Sequence, residues 1–292
     1  MIPAGDLPAA AAAGTIKLGD DLTVHRLGYG AMRITGPGIF GPHADPDECV
    51  RVLREAIELG VNFIDTADSY GPNVSEELIA KALHPYPEDL VIATKGGFKR
   101  PGPDEWDLDC NPNRLRKQLE GSLRRLKLER IDLWQLHRID SKVPAQEQFE
   151  LLAEFIREGK VRHVGLSEVS VDDIEAAREI VPIVSVQNRY NIIDRDWEAV
   201  VDYCFRQKIA FIPWFPLAAG NLEDKARLKQ ANLERVATRT GTSTVQVAIA
   251  WLLRRSPCIL PIPGTSKVKH LEENLAAASL ELTDEDLRLL NK

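Results

Sequence analysis

The feature that most constrains the fold is an eightfold alternation of a short apolar run and an amphipathic helical pattern. The runs, in chain order, are HRLGYGAM, VNFIDTA, DLVIATK, IDLWQLH, VRHVGLS, PIVSVQN, KIAFIPWFP and CILPIPG. Strands that alternate with helices predict a parallel sheet in which helices form the crossovers. Eight such units in a chain of 292 residues predict an α/β protein with a closed (β/α)₈ TIM barrel.

An open, doubly wound sheet is the alternative arrangement of the same units. Such a sheet usually carries a G-x-G-x-x-G fingerprint directly after its first strand. The first unit of this chain contains GYGAM, which has two glycines but lacks that fingerprint. The sequence therefore favours the barrel.

The residues before the first unit predict two further features. The segment TIKLGDDLTVHRL predicts a β-hairpin around Gly19 and Asp20, which we expect to cap the barrel floor. The start, MIPAGDLPAAAAAG, is rich in alanine and lacks the basic start and long apolar core of a signal peptide. We therefore expect residues 1–14 to form a flexible tail and residues 15–292 to form a single barrel domain.

Composition argues against several classes of function. The formal net charge of −7 and the lack of a basic stripe with interleaved aromatic residues argue against nucleic-acid binding. No apolar run is long enough to span a membrane. None of the four cysteines forms a C-x-x-C pair, so we expect buried, reduced thiols in a cytoplasmic protein rather than disulfides or a metal site.

Polar residues with chemical potential stand at the ends of successive predicted strands. The second strand ends at Asp65 and is followed by Tyr70, the third ends at Lys95, and the fourth ends at His137. Function in such a barrel lies at the carboxyl ends of the strands, so barrel closure brings these residues to one mouth. Each has a purely structural explanation when taken alone, but their joint placement predicts a catalytic set.

These four side chains together suit the protonation of an oxygen that gains charge, as when a hydride adds to a carbonyl. A free tyrosine, with a pKa of about 10, is a poor proton donor at neutral pH. We expect the Lys95 cation to lower the pKa of Tyr70, and Asp65 to keep the lysine charged and directed. His137 can hydrogen-bond the substrate oxygen. The sequence thus predicts Tyr70 as a general acid.

These motifs resemble the signatures of the aldo-keto reductase superfamily. VNFIDTADSYG resembles the segment around the catalytic aspartate and tyrosine of that family, VIATK the lysine strand, and IDLWQLH the histidine strand. GKVRHVGLSE, VSVQNRYN, PWFPLAAG and IPGTSKVKHLEEN follow in family order, so that the resemblance covers roughly residues 15 to 290. It implies the same barrel fold, and a catalytic tetrad of Asp65, Tyr70, Lys95 and His137.

The resemblance also implies a cofactor, because this family binds a nicotinamide dinucleotide without a Rossmann domain. It implies NADPH, with NADH as an alternative, and no metal. Ser167 and Gln187 would hold the carboxamide, and Trp214 would stack on the nicotinamide ring rather than belong to the barrel core. The loop PLAAGNL would cover the pyrophosphate, and GTSKVKHLEEN would hold the adenosine end. The implied cofactor residues are Gly30, Ala31, Met32, Asp65, Ser167, Gln187, Trp214, Pro216, Leu217, Gly220, Leu222, Gly264, Ser266, Lys267, His270, Glu273 and Asn274.

Two positions depart from the family pattern. Many members have Asn after the serine of the fifth strand, where this chain has Glu168, so one contact to the nicotinamide amide is left open. Many NADP-preferring members have Arg where this chain has His270. Because a histidine is only partly charged near neutral pH, we expect a weaker grip on a 2′-phosphate, which Lys267 can offset.

The first loop of the predicted barrel bears on the substrate. RLGYGAMRITGPGIFGP is longer and richer in glycine and proline than a simple turn, and it resembles a bacterial subgroup that includes pyridoxal reductases. Pyridoxal is therefore one candidate among many aldehydes. The candidate substrate residues are Tyr29, Met32, Tyr70 and His137, with Phe40 and FKRPGPDEW as further parts of the mouth. Arg33, Lys99 and Arg100 are candidates for contacts to an anionic or polar substrate, and an ordinary solvated loop is the alternative.

Two other classes of function remain as alternatives to a reductase of aldehydes or ketones. Potassium-channel beta subunits resemble this family and bind nucleotide while attached to a channel, so a nucleotide sensor or partner-binding protein is one alternative. A metal-dependent barrel hydrolase is the other. It would need clustered histidine and carboxylate ligands, but of six histidines only His137 stands at a predicted strand end.

Overall fold

The computed structural model describes residues 9–216 and 224–292. Its strands are β1 (Thr15–Leu18), β2 (Leu22–His25), β3 (Tyr29–Gly30), β4 (Phe63–Asp65), β5 (Val91–Gly96), β6 (Phe98–Lys99), β7 (Asp107–Leu108), β8 (Ile131–Leu136), β9 (Val161–Ser167), β10 (Ile183–Gln187) and β11 (Ala210–Phe211). Its α-helices are α1 (Pro46–Glu58), α2 (Val74–Leu83), α3 (Pro112–Leu126), α4 (Ala145–Arg157), α5 (Val171–Arg178), α6 (Glu198–Gln207), α7 (Asp224–Thr240), α8 (Thr244–Arg255), α9 (Val268–Ala276) and α10 (Asp284–Leu290). Short 3₁₀-helices cover Ala9–Ala13, Ala31–Ile34, Pro37–Ile39 and Ala277–Ser279.

In the described part of the chain, seven strands form one parallel sheet in the order β11, β10, β9, β8, β5, β4, β3. The two edge strands, β3 and β11, are joined through an extended segment, residues 258–262. The Leu260 N–H donates to the Phe211 carbonyl (2.9 Å), and the Gly28 N–H donates to the Pro261 carbonyl (3.0 Å). This segment is the eighth strand predicted from CILPIPG, and it closes the (β/α)₈ barrel.

The predicted hairpin caps the floor of the barrel. Strands β1 and β2 pair in antiparallel register, with Leu18 opposite Leu22. Leu18 and Val24 are completely buried, and they pack with Phe63 and Leu133, which point into the barrel. The hairpin therefore covers the apolar end of the barrel interior and leaves the opposite end, where the strands finish, for the functional site.

Residues 9–13, which we expected to belong to a flexible tail, are part of the fold. Ala9–Ala13 forms a 3₁₀-helix, Ala10 is completely buried, and the Ala10 N–H donates to the Leu59 carbonyl (3.0 Å). Alanine is small enough to pack closely against the end of α1, which is why this polar-poor stretch joins the fold. The finding corrects the predicted flexible tail for residues 9–13, and residues 1–8 lie outside the described residues.

Helix starts follow the capping signals of the sequence. Asp45 caps α1 by accepting from the Glu48 N–H (2.9 Å), and Pro46 begins the helix. Ser170, Ser243 and Thr283 form capping boxes at the starts of α5, α8 and α10.

Helix α7 is a helix that the sequence pattern did not indicate. Its sequence, DKARLKQANLERVATRT, is mostly polar, so its apolar periodicity is weak.

Close backbone approach explains two glycines at the barrel closure. A Cβ atom on Gly30 would lie 2.6 Å from the Ile262 carbonyl oxygen, and a Cβ on Gly264 would overlap the carbonyl oxygen of Gly30. We expect Gly264→Ala to lower the free energy of unfolding by about 1–3 kcal/mol, because backbone must move to admit the methyl group.

Urea unfolding followed by circular dichroism measures this change. Gly41→Ala is a control, because a Cβ atom at that position would have no neighbour within 4 Å and only the positive φ of 67° opposes the substitution. A Gly264→Ala protein as stable as the unsubstituted protein would show that the closure does not require glycine.

Two expectations from composition, namely buried reduced thiols and the lack of a membrane span, can be compared with the described residues. All four cysteines, Cys49, Cys110, Cys204 and Cys258, are buried and free. Among residues 9–216 and 224–292, no helix is long and apolar enough to cross a membrane.

Candidate active site

A cavity of about 500 Å³ opens at the carboxyl ends of the barrel strands. Aromatic and apolar side chains form most of its wall, and a small number of polar groups lie at its base. This combination is typical of a small-molecule site. Ten of the residues predicted for catalysis or cofactor binding line it, namely Gly30, Met32, Asp65, Tyr70, His137, Ser167, Gln187, Trp214, Pro216 and Gly264.

The base of the cavity holds a buried chain of three charged or polar groups. The Lys95 Nζ lies 2.6 Å from Asp65 Oδ1, donates to the Thr66 carbonyl (2.8 Å), and lies 3.4 Å from the Tyr70 hydroxyl. Lys95 is completely buried, and Asp65 and Tyr70 are nearly so. A buried ammonium needs a paired anion and hydrogen-bond acceptors, and this lysine has both. Lysine and aspartate are thus fixed beside the phenol, as the sequence predicted.

Two amides hold the second oxygen of Asp65. Gln187 Nε2 donates to Asp65 Oδ2 at 2.9 Å, and Gln135 Nε2 donates to the same atom at 3.2 Å. Gln187 was expected to hold the cofactor carboxamide. It does line the cavity, but its amide nitrogen contacts the aspartate. Gln135 and Gln187 therefore satisfy the carboxylate that pairs with Lys95.

The pKa values of Lys95 and Tyr70 are both raised above their ordinary values. Burial opposes the charge of Lys95, but Asp65 and Tyr70 outweigh it and raise the pKa of the lysine. Burial raises the pKa of Tyr70, and the charge of Lys95 opposes that rise without cancelling it. The expected lowering effect of Lys95 on the Tyr70 pKa is present, but burial outweighs it. Lys95 is a cation and Tyr70 is a protonated phenol at neutral pH, so the phenol has a proton to donate.

His137 lies beside the phenol and is neutral. Burial lowers its pKa well below the ordinary value of 6.5, and the charges of Lys95, Arg138 and Arg100 lower it further. Its ring packs edge-on against Tyr70, with 6.1 Å between centroids, and against Phe98, with 4.8 Å between centroids. A neutral imidazole in this position can share a hydrogen bond with a ligand oxygen without adding charge.

The burial of a neutral His137 predicts a dependence of stability on pH. Its folded pKa lies well below its unfolded pKa of about 6.5, so the unfolded state binds the extra proton first as the pH falls. This group therefore lowers stability as the pH decreases through the unfolded value. We expect His137→Gln to lose less stability between pH 7 and pH 5 than the unsubstituted protein, as measured by urea unfolding at both pH values. An equal loss in both proteins would contradict the neutral assignment.

Trp214 forms one wall of the cavity. It is only partly buried, so the barrel-core alternative is wrong for this residue. Its indole N–H donates to Glu168 Oε1 (2.5 Å), and the same oxygen accepts from the Arg189 N–H (2.5 Å). Ser167, which ends β9 directly before Glu168, accepts from Arg138 Nη1 at 2.9 Å.

Several predicted residues do not reach the cavity. Tyr29 is completely buried, its hydroxyl donates to the Thr265 carbonyl (2.6 Å), and it is not part of the wall. This corrects its assignment as a substrate residue, because strand alternation turns it behind the barrel wall. Ala31 is also completely buried and does not line the cavity.

The candidate cations of the substrate mouth have different positions. Arg33 lines the cavity. Arg100 does not, because its guanidinium donates to the carbonyls of Gly38, Ile39, Ser69 and Glu105, and it is 9% exposed. Its position corrects the expectation that it contacts substrate, since it joins three loops instead. Lys99 forms an ion pair with Asp109 away from the cavity. Of the segment FKRPGPDEW, Phe98 and Trp106 line the cavity.

The expected adenosine-binding residues lie at the start of α9, next to Gly264. Lys267, His270 and Glu273 are exposed, and Asn274 is buried. The sequence did not indicate Glu48 of α1, whose Oε1 accepts from the Val268 N–H (3.3 Å) at the first turn of α9. Leu217, Gly220 and Leu222, the other expected cofactor residues, lie outside the described residues.

Sequence reasoning also missed cavity residues. Arg138, Phe215, Ile39 and Ile262 all line the wall. The position of Arg138, directly after the strand-end His137, was a signal for it. In the described ranges, no group of three or more histidine, cysteine, aspartate and glutamate side chains could hold a metal ion.

The chain has a closed (β/α)₈ barrel and a buried proton donor at the carboxyl ends of its strands. This arrangement is typical of (β/α)₈-barrel enzymes. Comparison with known families matches residues 26–292 to the aldo/keto reductase family. The chain belongs to this family and is an oxidoreductase, so the resemblance seen in the sequence is confirmed.

Individual relatives agree with this assignment. An uncharacterised oxidoreductase of Schizosaccharomyces pombe is 52% identical, and the match covers 94% of this chain and 88% of the relative. Pyridoxine 4-dehydrogenase of Escherichia coli is 44% identical, with 92% and 94% covered. The crystal structure of an aldo-keto reductase from Klebsiella pneumoniae in complex with NADPH superposes with a TM-score of 0.79 at 27% identity, covering 94% of this chain and 93% of that one.

Proposed function

We propose that the protein interconverts an aldehyde or ketone with the corresponding alcohol and uses NADPH as its reductant. The observation that carries this proposal is the buried chain of Asp65, Lys95 and Tyr70 at the base of an apolar cavity. It provides a protonated phenol beside a fixed cation, which suits an oxygen that gains negative charge. A bound nicotinamide dinucleotide would supply the hydride.

The residues of the cavity fit such a cofactor. Trp214 offers an aromatic face, while Ser167 and Gln187 offer hydrogen-bonding groups to an amide. Gly30 and Gly264 present bare backbone at the cavity wall, where a side chain would not fit. The NADPH complex of the Klebsiella relative supports the same choice of cofactor.

At the adenosine end we propose that Lys267, His270 and Ser266 hold the ribose and its phosphate, and that Glu273 and Asn274 hold the adenine. Glu48 places a carboxylate at the first turn of α9, which weakens an anion site there. NADH is therefore a cofactor to compare directly with NADPH.

Each member of the tetrad has a separate proposed role. Tyr70 donates its proton to the substrate oxygen, and Lys95 stabilises the phenolate that remains. Asp65, held by Gln135 and Gln187, keeps Lys95 in place. Neutral His137 orients the substrate oxygen. In the direction of alcohol oxidation the same phenolate accepts the proton.

We propose pyridoxal and pyridoxine as the first substrate pair to test. The support is the 44% identity to a pyridoxine 4-dehydrogenase and the aromatic wall formed by Phe98, Trp106 and Trp214, which suits a planar ring. Arg33 and Arg138 add positive charge to the same wall, which suits a ring that carries a polar or anionic substituent.

The test is oxidation of NADPH and of NADH, followed by absorbance, with a panel of aldehydes and ketones that includes pyridoxal. We expect turnover of at least one aldehyde, with pyridoxal among the better substrates. Tight nucleotide binding without turnover of any carbonyl would contradict the enzyme assignment and favour the nucleotide sensor. Turnover of other aldehydes but not of pyridoxal would contradict only the substrate.

We also propose that residues 15–292, with Ala9–Ala13 packed against them, act as one domain and that the protein works in the cytoplasm. The continuous barrel and the four buried, free cysteines support this proposal.

A further inference from the structure

Trp214 lies next to three charged residues. Its indole N–H donates to Glu168 Oε1, and the guanidinium carbons of Arg138 and Arg189 each lie 5.9 Å from its ring centroid. Glu168 is itself fixed, because the same oxygen accepts from the Arg189 N–H and its backbone has a positive φ of 56°. A glutamate in this backbone conformation is strained, and it is stabilised here by these two hydrogen bonds.

The charges around this wall partly cancel. Arg189 pairs with Asp194 at 2.7 Å and points its guanidinium toward Trp214 and Phe215. Arg138 has no carboxylate within ion-pair distance among the described residues, and Glu168 is the carboxylate whose charge acts on its pKa. Burial lowers the pKa of Arg138, and the Glu168 carboxylate opposes that shift. Glu168 is thus the anion that compensates Arg138, while Asp194 compensates Arg189.

The two forms of a nicotinamide ring differ in charge, since the oxidised ring is a cation and the reduced ring is neutral. A fixed charge near the stacking wall therefore acts on one form and not on the other. We propose that Glu168 is a positioning residue that fixes Trp214 as the nicotinamide wall, and that its charge favours the oxidised cofactor over the reduced one. This inference rests on the proposed use of a nicotinamide cofactor.

Two substitutions separate the effect of Glu168 on the position of Trp214 from the effect of its charge on the cofactor. Glu168→Gln keeps a side-chain oxygen of the same reach, which can accept from the Trp214 and Arg189 N–H groups, but it removes the charge. Glu168→Ala removes both the acceptor and the charge. The measured quantities are the dissociation constants of NADP⁺ and NADPH, obtained by isothermal titration calorimetry for each protein without substrate.

For Glu168→Gln we expect the ratio of the NADP⁺ dissociation constant to the NADPH dissociation constant to rise about three- to tenfold, because Arg138 then repels the oxidised ring without the compensating carboxylate of Glu168. For Glu168→Ala we expect the same change in the ratio, together with about tenfold weaker binding of both forms, because the indole is no longer held. Circular dichroism checks that each variant is folded, and Glu168→Gln alone carries the charge test if Glu168→Ala does not fold.

Other outcomes would overturn separate parts of the inference. An unchanged ratio in Glu168→Gln would overturn the role of the charge. Equal constants in Glu168→Ala and Glu168→Gln would overturn the positioning role. If the unsubstituted protein bound neither nucleotide, the proposed cofactor itself would be wrong, and that failure is visible before any variant is made.

Discussion

Replacement of Tyr70 by phenylalanine is expected to lower kcat for aldehyde reduction by about a hundredfold or more, with cofactor binding preserved. The substitution removes only the hydroxyl that lies 3.4 Å from Lys95 Nζ. The ring remains available for its edge-on contacts with Trp106 and His137, so the shape of the cavity persists. Loss of rate without loss of cofactor affinity is the result expected when a proton donor is removed.

The measurement compares kcat with the dissociation constant of NADPH in both proteins. Tyr203→Phe is a matched control, because Tyr203 lies on α6 and its hydroxyl accepts a hydrogen bond from Arg178 (2.9 Å) away from the cavity. We expect this control to keep its turnover. Normal turnover by Tyr70→Phe would remove the phenol from the mechanism.

The second large effect is expected for Lys95→Met. Without the Lys95 cation, the largest influence that opposes the burial of Tyr70 is lost, so the pKa of Tyr70 rises further and the phenolate formed by proton donation is less stable. We expect kcat to fall on the order of a hundredfold or more. Stability should also fall by about 3–5 kcal/mol, because the Asp65 carboxylate stays buried without its cation.

A double substitution separates these two consequences. The double variant Asp65→Asn/Lys95→Met removes both charges of this pair, so we expect most of the lost stability to return while activity stays low. Urea unfolding and steady-state rates of the single and double variants measure both quantities. Wild-type turnover by Lys95→Met would contradict the role of the lysine, and a stable but inactive single variant would contradict the ion-pair account.

The alternation of strands and helices was enough to predict the barrel, since eight parallel strands with crossovers have few other closures. Strand-end positions were enough to predict that Asp65, Tyr70, Lys95 and His137 meet, and the structure brings them together. Helix α7 was missed because a surface helix with mostly polar residues has weak periodicity.

Other details depend on contacts that no local pattern encodes. Tyr29 donates a hydrogen bond to Thr265, and Arg100 donates to four backbone carbonyls. These contacts depend on how distant parts of the chain pack together. The pKa of Tyr70 was predicted from its cationic neighbour alone, whereas the depth of burial decides its direction. The Glu168 position was visible as a departure from the family pattern, but its bond to Trp214 was not.

Hydride transfer with proton donation is the central claim, and isotope transfer tests it most directly. NADPH carrying deuterium on the transferring face of its nicotinamide C4 is incubated with pyridoxal and the protein, and the alcohol product is analysed by mass spectrometry. The account predicts one deuterium per product molecule, on the carbinol carbon, and loss of product formation in Tyr70→Phe. An alcohol product without deuterium, or equal product from Tyr70→Phe, would contradict it.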